Sequence, residues 1–228
     1  MDDGRRTRIA PTPSGFLHEG NAFNFVLTWA LARRHGREIL LRIDDADQGM
    51  VREDFVDDIF RSLAWLGITW DMGPQSPDEL AQHWSQRHRF DLYHTAIHAL
   101  MDKGLVFACS CTRTDVRRAS GSMTYAGTCA QKMLDLSTRT TSLRLNTPET
   151  AVPYPVVRQK SGAPAYMIAS MVDDIHFGIT HIVRGEDLSP ASQTQQHLAT
   201  LVDMLAPFQT IEIVHHPLIV DEHGMKLS

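Results

Sequence analysis

The chain has 228 residues, of which 43% are hydrophobic and 21% are charged, which is ordinary for a globular protein. Its 27 acidic and 22 basic residues give a formal net charge of −5, which does not favour nonspecific nucleic-acid binding but leaves room for a local basic face. No run of about 18 apolar residues predicts a membrane span, and no apolar segment of a secretory signal follows the first residues. The three cysteines lie in a narrow window, which argues against a secreted disulfide framework and for a cytoplasmic protein that acts away from membranes.

The first 45 residues predict a βαβ unit. Residues 7–15 form a short strand that ends in Pro and Gly, and residues 38–44 have the apolar character of a buried parallel strand. Between them, residues 21–35 have the length and alanine content of a buried helix that stops at Gly36. Because the crossover of such a unit is right-handed, both strands are expected in one parallel sheet.

Two amphipathic helices and an insertion are predicted next. Residues 53–66 carry apolar side chains at helical spacing up to Gly67, and residues 84–103 predict a second long helix. Residues 106–160 differ in kind, because they hold all the cysteines, many Ser and Thr residues and short β-like pieces. We interpret this segment as an insertion into an α/β domain.

The core pattern returns after the insertion. A helix or strand that begins near Tyr166 precedes a strand over residues 179–185. A helix over residues 192–205 and a last strand over residues 211–220 complete the pattern. The chain as a whole therefore predicts an α/β fold with a parallel sheet.

The turn after the first strand is a candidate phosphate site. Neither a dinucleotide fingerprint nor a P-loop is present, yet this turn is where parallel α/β folds bind phosphates. The free N–H groups at the start of the helix would attract an anion, Gly20 would allow a nucleotide to approach, and His18 could donate to a phosphate oxygen. The alternative is that Gly20 and Asn21 only form the helix entry, with Asn21 as N-cap.

The stretch RIDDADQG offers several carboxylates, but its spacing excludes a calcium loop of the EF-hand type. We expect a strand end that presents Arg42 and Asp44 toward a ligand, although a turn with solvated acids is the alternative. Arg184 also ends a predicted strand and could clamp a carboxylate, or it could pair with Glu186 or Asp187.

Two segments near the C-terminal side add weaker candidates. His215 and His216 precede a proline at the end of a predicted strand, where they would line a cleft. Lys226 lies in a predicted loop and could neutralise phosphate charge in a transition state.

The cysteines form the best metal candidate. Cys109, Cys111 and Cys129 would supply three of the four tetrahedral positions of zinc, and Tyr125 or an acid such as Asp115 could supply the fourth. Unrelated buried thiols are the alternative, since the two thiolates of a Cys-x-Cys pair lie close together.

Taken together, these stretches resemble class I aminoacyl-tRNA synthetases, and specifically their glutamyl branch. They stand in the family's order and cover nearly the whole chain: RIAPTPSGFLHEGN, LLRIDDAD, SQRH, the CSC…Y…C set, AYMIASMVDD, ITHIVRGEDL and HHPLIVDEHGMKLS. The cysteine and tyrosine pattern is most similar to that of glutamyl-queuosine-tRNA(Asp) synthetases, a shortened glutamyl-tRNA synthetase family without an anticodon-binding domain.

The resemblance implies a Rossmann-like catalytic domain with a zinc-bearing insertion. Residues 1–105 would form its first half, residues 106–160 an acceptor-stem-type insertion, and residues 161–228 the second half, which ends within the KMSKS-like loop.

The resemblance also implies a reaction. Glutamate and ATP, with Mg²⁺, would form glutamyl-adenylate and pyrophosphate, and the glutamyl group would pass to tRNA, most specifically to the queuosine base of tRNA(Asp). The protein would act as a monomer. The alternatives are the catalytic part of an ordinary glutamyl-tRNA synthetase, or a non-catalytic paralogue that serves as a zinc-stabilised RNA- or amino-acid-binding module.

By position, the resemblance assigns the site residues. The glutamate pocket would consist of Arg8, Ile9, Ala10, Pro11, Thr12, Asp44, Tyr166 and Arg184. ATP would be bound by His18, Gly20, Asn21 and Lys226, of which His18 and Lys226 would be the catalytic residues, and zinc by Cys109, Cys111, Tyr125 and Cys129. Three positions depart from the family pattern, because Asn21 replaces the second histidine of the HIGH signature, Asp44 a glutamate and Met167 a polar residue.

Overall fold

The computed structural model describes residues 5–220. They divide into two compact units, the first containing residues 5–89, 174–189 and 210–220 and the second residues 90–173 and 190–209. The helices are α1 (Glu19–Arg34), α2 (Glu53–Trp65), α3 (Pro77–Glu79), α4 (Phe90–Asp102), α5 (Arg113–Ser120), α6 (Tyr166–His176) and α7 (Ser189–Leu198). The strands are β1 (Arg6–Ile9), β2 (Glu38–Leu41), β3 (Val106–Cys109), β4 (Ser142–Leu145), β5 (Val156–Arg158), β6 (His181–Gly185) and β7 (Glu212–His216). Within the described range, every helix is too short or too polar to cross a membrane.

The first unit contains two two-stranded parallel sheets, one of β1 and β2 and one of β6 and β7. β1 pairs with β2 along all four residues, and β6 pairs with β7 along all five. The N–H of Thr180 donates to the carbonyl oxygen of Arg6 at 2.9 Å, so the chain entering β6 is bonded to β1. These pairings confirm the predicted α/β fold with parallel strands, and the first βαβ unit lies where its pattern predicted.

The core of the first unit lies between these strands and the helices α1 and α2. Most of its buried side chains come from the apolar positions of the predicted strand and helix patterns, and Ile68 and Leu80 lie outside those patterns. They are Ile9, Phe25, Ala32, Ile39, Leu41, Ile43, Val56, Ile59, Leu63, Ile68 and Leu80. Gly73 allows a second segment to pack against β2, because a Cβ at this position would lie 2.2 Å from the carbonyl oxygen of Leu41. Its φ of 116° is also one that only glycine adopts readily.

The helix predicted over residues 84–103 is interrupted in the structure. A π-helical turn (Leu80–Trp84) and a 3₁₀ turn (Gln86–Arg89) come first, and α4 begins only at Phe90. The reason is tertiary, since the carboxylate of Asp45 accepts hydrogen bonds from Ser85 Oγ at 2.6 Å and from the Gln86 N–H at 2.7 Å. These bonds hold Ser85 in an extended conformation and Gln86 in a 3₁₀ turn, so the α-helix cannot run through them, which the local pattern does not reveal.

The second unit contains the predicted insertion together with α4 and residues 190–209. Its sheet is antiparallel, with β4 between β3 and β5. The helix predicted over residues 192–205 is shorter in the structure. There α7 stops at Leu198, and a separate 3₁₀ segment (Asp203–Thr210) follows. Pro207 lies inside that segment and has no N–H to continue an α-helix. The compact units thus have other boundaries than the predicted segments, which followed composition along the chain.

Candidate functional site

The start of α1 differs by two residues from its prediction. His18, not Asn21, is the N-cap, and Asn21 occupies the third helical position. From there Asn21 Oδ1 accepts a hydrogen bond from the backbone N–H of His18 at 3.2 Å, as the third residue of a capping box does. The amide oxygen of Asn21 therefore stabilises the start of α1, and a histidine has no such oxygen.

The ring of His18 carries an unsatisfied polar atom. Its Nδ1 is buried and has no hydrogen-bond partner among residues 5–220. Buried polar atoms normally have partners, because leaving one unpaired costs about 1–3 kcal/mol. The unpaired Nδ1 lies inside the protein, whereas the residue as a whole is half-buried and lines the cavity described next.

A cavity of about 170 Å³ opens beside this helix start in the first unit. Its lining combines the first βα turn with the ends of β6 and β7, and it comprises His18, Gly20, Asn21, Asn24, Arg184, Gly185, Asp187, Leu188, His216, Leu218 and Ile219. The carboxyl ends of parallel strands are where α/β folds bind their ligands. The N-terminus of α1 adds a partial positive charge, so this cavity suits an anion such as a phosphate group.

Of the two histidines at the end of β7, one lines this cavity and the other lies next to one of its lining residues. His216 lines the cavity as predicted, and its Nε2 lies 3.1 Å from Asn24 Oδ1. His215 is the register partner of Arg184 in β6. Burial first, and then the charges of Arg184 and His216, lower the pKa of His215, so its imidazole stays neutral at neutral pH. The cavity thus has one strong cation, Arg184, whose side chain is buried.

A second polar arrangement in the first unit follows β2. Arg42 Nε lies 2.6 Å from Asp44 Oδ1, and Arg42 Nη2 lies 3.1 Å from Asp44 Oδ2. Arg42 Nη1 also reaches Asp174 Oδ1 at 2.7 Å, and Arg8 Nε reaches the same oxygen at 3.2 Å. All four side chains are buried, and we name them the charge cluster. The alternative of a turn with solvated acids is therefore wrong for Asp44.

Sequence reasoning missed Asp174 as a member of the charge cluster. It lies in α6, where an acid that is 1% exposed is unusual without a charged partner. The signal that could have found it is the pair of aspartates, Asp173 and Asp174, in an otherwise apolar helix.

The backbone brings the segment after β1 next to the charge cluster. The N–H of Asp44 donates to the carbonyl oxygen of Pro11 at 2.8 Å, and the N–H of Arg42 donates to that of Ile9 at 2.9 Å. Ala10 and Thr12 are neighbours in the same segment, and Thr12 is exposed. The structure thus places the predicted residues 8–12 beside Asp44.

The remaining predicted residues of the glutamate and ATP sites lie elsewhere. Arg184 lines the cavity with His18 and is not a member of the charge cluster. Tyr166 begins α6 in the second unit and is 42% exposed. Met167 follows it and is buried. Lys226 lies outside the described residues.

The three thiols come together in the second unit. The sulfur atoms of Cys109, Cys111 and Cys129 all lie within 4.8 Å of one another, and none forms a disulfide. The hydroxyl of Tyr125 lies 3.2 Å from Cys109 Sγ and accepts a hydrogen bond from the Cys129 N–H at 2.8 Å. Asp115 is used differently, because its carboxylate caps α5 by accepting from the Thr112 N–H and hydroxyl at 2.9 and 2.7 Å.

The thiol cluster has the spacing of a tetrahedral metal site. Ligand sulfurs around zinc lie about 3.8 Å apart, as follows from bonds of about 2.3 Å. Burial alone raises the pKa of Cys129, but hydrogen bonds from the backbone of Ser110 and from Tyr125 outweigh it and lower the pKa to about 7. Burial and the contact with Cys129 raise the pKa of Cys111 to about 11. One thiol is thus readily ionised even without a metal, which suits the cluster to binding a cation.

The chain belongs to the family of class I tRNA synthetases (E and Q), catalytic domain. The model of this family matches residues 5–143 and 131–228, which together span nearly the whole chain. The family accounts for the parallel strands and for a ligand cavity at their carboxyl ends.

Within this family the chain is similar to two kinds of bacterial protein. It is 30% identical over 254 residues to the glutamyl-Q tRNA(Asp) synthetase of Nitratidesulfovibrio vulgaris and 35% identical over 232 residues to that of Synechococcus sp.. It is 32% identical over 247 residues to the glutamate–tRNA ligase of Oleidesulfovibrio alaskensis. The matches include 98%, 99% and 97% of this chain, but 77%, 73% and 50% of the respective relatives.

The fold itself is similar to that of a solved enzyme. The crystal structure of the glutamate–tRNA synthetase from Elizabethkingia anophelis superposes with a TM-score of 0.79 over 99% of this chain and 52% of that chain. The sequence identity is 21%, so this likeness concerns the fold. The chain spans about half the length of the glutamate–tRNA ligases that it matches.

Proposed function

We propose that this protein activates glutamate with ATP to form glutamyl-adenylate and then transfers the glutamyl group to tRNA. The observation that carries the proposal is the cavity beside α1, which the half-buried His18, the start of α1 and Arg184 line together. This combination suits a nucleoside triphosphate, because its negatively charged phosphates need hydrogen-bond donors and a positive electrostatic potential. The family of the chain and its relatives support the substrate class.

In the first step a carboxylate oxygen of glutamate attacks the α-phosphorus of ATP, and the bond to the leaving pyrophosphate breaks. His18 would donate a hydrogen bond to a phosphate oxygen, and Gly20 and Asn21 would let the phosphates approach the start of α1. Lys226, supported by Mg²⁺ on the phosphates, would neutralise the charge of the leaving pyrophosphate. Such a reaction depends mostly on positioning and on electrostatic stabilisation.

Glutamate would bind along residues 8–12, with Asp44 and Arg184 completing the part of its pocket that lies in the first unit. The amino acid carries one ammonium and two carboxylates, so it requires an acid and at least one cation. Asp44 would accept from the ammonium, because a carboxylate has about four acceptor positions and Arg42 uses only part of them. Arg8 and Arg184 would bind carboxylates, Arg8 through its terminal nitrogens since its Nε is bonded to Asp174.

We further propose the queuosine base of tRNA(Asp) as the acceptor. In that second step a hydroxyl of the acceptor attacks the carbonyl carbon of the adenylate, and AMP leaves. The support is the similarity to two proteins named glutamyl-Q tRNA(Asp) synthetase, of which the chain spans 77% and 73%. The alternative acceptor is that of an ordinary glutamate–tRNA ligase, favoured by the 32% identity to one such enzyme.

We also propose that Cys109, Cys111, Tyr125 and Cys129 hold a zinc ion that stabilises the second unit. The spacing of the sulfurs, the position of the Tyr125 hydroxyl and the low pKa of Cys129 support this assignment. Bound zinc would cross-link β3 to the loop that contains Cys129.

ATP–pyrophosphate exchange tests the activity. The full-length natural protein should exchange pyrophosphate into ATP when glutamate is present, with and without added tRNA. Absence of exchange with every amino acid would leave the non-catalytic alternative as the better description. Radiolabelled glutamate offered with tRNA(Asp) that contains queuosine, with tRNA(Asp) that lacks it, and with tRNA(Glu) then identifies the acceptor.

A further inference from the structure

The second unit contains a larger cleft that the proposed reaction does not use. It has a volume of about 750 Å³, within the range of about 300–1,000 Å³ that is typical of small-molecule sites. Its lining comes from one face of α4, from residues 136–139 and from the turn after β5: Asp91, His94, Ile97, His98, Met101, Leu136, Ser137, Arg139, Arg158, Ser161 and Gly162. We call it the α4 cleft.

The walls of the α4 cleft carry an excess of positive charge. Arg139 and Arg158 face one carboxylate, that of Asp91, and neither arginine forms an ion pair with any residue in the range 5–220. Arg158 Nη2 has only three long hydrogen bonds, each 3.4 Å, to the carbonyl oxygens of Leu136, Thr138 and Thr141. Its Nε is buried without a hydrogen-bond partner in the described part of the chain. A partly buried guanidinium without an acid is therefore short of a counter-charge.

Two imidazoles of α4 line the same cleft. His94 and His98 are four residues apart on one helix face, and their ring centroids are 6.5 Å apart. Burial first, and then the charges of His98 and Arg158, lower the pKa of His94, although Asp91 opposes this. His94 is therefore neutral at neutral pH and can offer its ring as a flat surface or a hydrogen-bond partner.

The floor of the α4 cleft is apolar and its far wall is rigid. Ile97, Met101 and Leu136 offer aliphatic surface between the cationic walls. The turn after β5 is closed by hydrogen bonds from Gly162 N to Gln159 O at 3.0 Å and from Gln159 N to Ala163 O at 2.8 Å. Gly162 adopts a φ of 90°, which other residues avoid. The cleft is thus preformed for a ligand with an anionic part and a flat or apolar part.

We propose that the α4 cleft binds a nucleotide, with Arg139 and Arg158 on its phosphate and the base against the apolar floor. Paired arginines bind phosphate through charge-assisted hydrogen bonds, and imidazole and aliphatic surfaces accept the face of a base. The nucleotide is either free or the terminal residue of an RNA strand, since both present the same chemistry. The inference is independent of the proposed adenylation, because every residue that it uses lies in the second unit.

Equilibrium binding to the full-length protein tests the α4 cleft. The two probes are GMP and a 5′-phosphorylated ribonucleotide hexamer at low salt. The test variants are Arg139→Gln, whose side chain is exposed, and the double variant Arg139→Gln with His98→Gln. Arg158→Gln follows as a separate variant, with its fold checked by circular dichroism.

At least one probe should bind the wild type and lose about tenfold in affinity with Arg139→Gln. Arg113→Gln is the matched control, because Arg113 is an exposed arginine of the same unit that does not line the cleft. His18→Asn is the control for the cavity beside α1. Arg113→Gln should bind as the wild type does, whereas His18→Asn shows whether a probe binds in the cavity beside α1 instead.

The pattern of losses distinguishes the source of the nucleotide. Loss of GMP binding alone supports a free nucleotide, and loss of hexamer binding supports an RNA end; either outcome supports the cleft. Binding that is absent, that is unchanged in the cleft variants, or that falls with His18→Asn instead overturns the proposal. A protein that is inactive in pyrophosphate exchange but binds through Arg139 would still support the α4 cleft.

Discussion

At the scale of single residues, the charge cluster is the feature that most constrains the first unit. Arg8, Arg42, Asp44 and Asp174 contribute two positive and two negative charges, so the buried set is neutral. Removing charges from water is costly, and only close pairing and further hydrogen bonds offset that cost. Each member therefore depends on the others, and loss of one leaves a buried charge poorly compensated.

Asp44→Asn should destabilise the protein strongly for this reason. Arg42 would remain buried with Asp174 as its only acid partner in the cluster, and we expect the free energy of unfolding to fall by about 3 kcal/mol. Urea denaturation measures the change. The matched control is the exposed pair of Arg52 and Asp54, which are 64% and 65% exposed, so Asp54→Asn should cost no more than about 1 kcal/mol. Equal losses in the two variants would show that charge pairing does not hold the cluster.

A variant of Arg184 shows whether this residue binds glutamate or the nucleotide in the proposed site. If Arg184 clamps a carboxylate of glutamate, Arg184→Ala should raise the KM for glutamate in the exchange assay at least about tenfold, because a charge-assisted contact is lost. Arg184 also shares the cavity with His18. A rise confined to the KM for ATP would assign Arg184 to the nucleotide and contradict the glutamate assignment. Arg184→Lys, which keeps the charge but loses the planar fork, is the conservative comparison.

At the scale of elements, single side chains determine where helices begin and how loops are attached. Asp71 is an example, since its carboxylate accepts from Arg33 Nη1 of α1 at 2.6 Å and from the Ile39 N–H of β2 at 2.8 Å. Burial alone would raise the pKa of Asp71, but the hydrogen bonds from Arg33 and Ile39 outweigh it and lower the pKa below its usual value of 3.8. One loop carboxylate thus ties α1, β2 and the loop together.

The stability of the Asp71→Asn variant as a function of pH tests these hydrogen bonds. Because the folded-state pKa is depressed, the stabilisation is fully present above the unfolded value near 3.8 and is lost as the pH falls through the folded pKa. We therefore expect the variant to be less stable than the wild type at pH 7, with a difference that narrows below about pH 3.8. Chemical denaturation from pH 7 to pH 2 measures it. Asp57→Asn, at an exposed position of α2, should show no such narrowing difference.

The thiol cluster and the neighbouring helix α5 offer the corresponding test of the metal proposal. Protein purified without chelator should contain about one zinc ion per chain, and Cys111→Ser should lose most of it, because a thiolate ligand is removed. Elemental analysis gives the count. Asp115→Asn should retain the metal while lowering stability, since Asp115 caps α5. Metal-free wild-type protein, or loss of zinc with Asp115→Asn, would contradict the assignment.

At the scale of the whole molecule, each compact unit is made of stretches that are separate along the chain. The first unit is built from three separate stretches and the second from two. Composition along the chain marked residues 106–160 as different in kind, and in the structure this segment contains the antiparallel sheet of β3, β4 and β5. It could not show that α4 belongs to the same unit, because membership depends on packing between distant stretches.

Local sequence by itself determined the βαβ start, the strands that carry Arg8 and Arg184, the thiol window and the family. These follow from apolar periodicity, from Gly and Pro at element ends, and from motifs in a fixed order, all of which are properties of neighbouring residues. Only the tertiary structure decided that Asp44 is bonded to Arg42, that Asp174 joins them, and that Ser85 and Gln86 interrupt a helix to reach Asp45. Such contacts join residues about 40 to 170 positions apart in most cases, and their energy depends on burial, which no local pattern records.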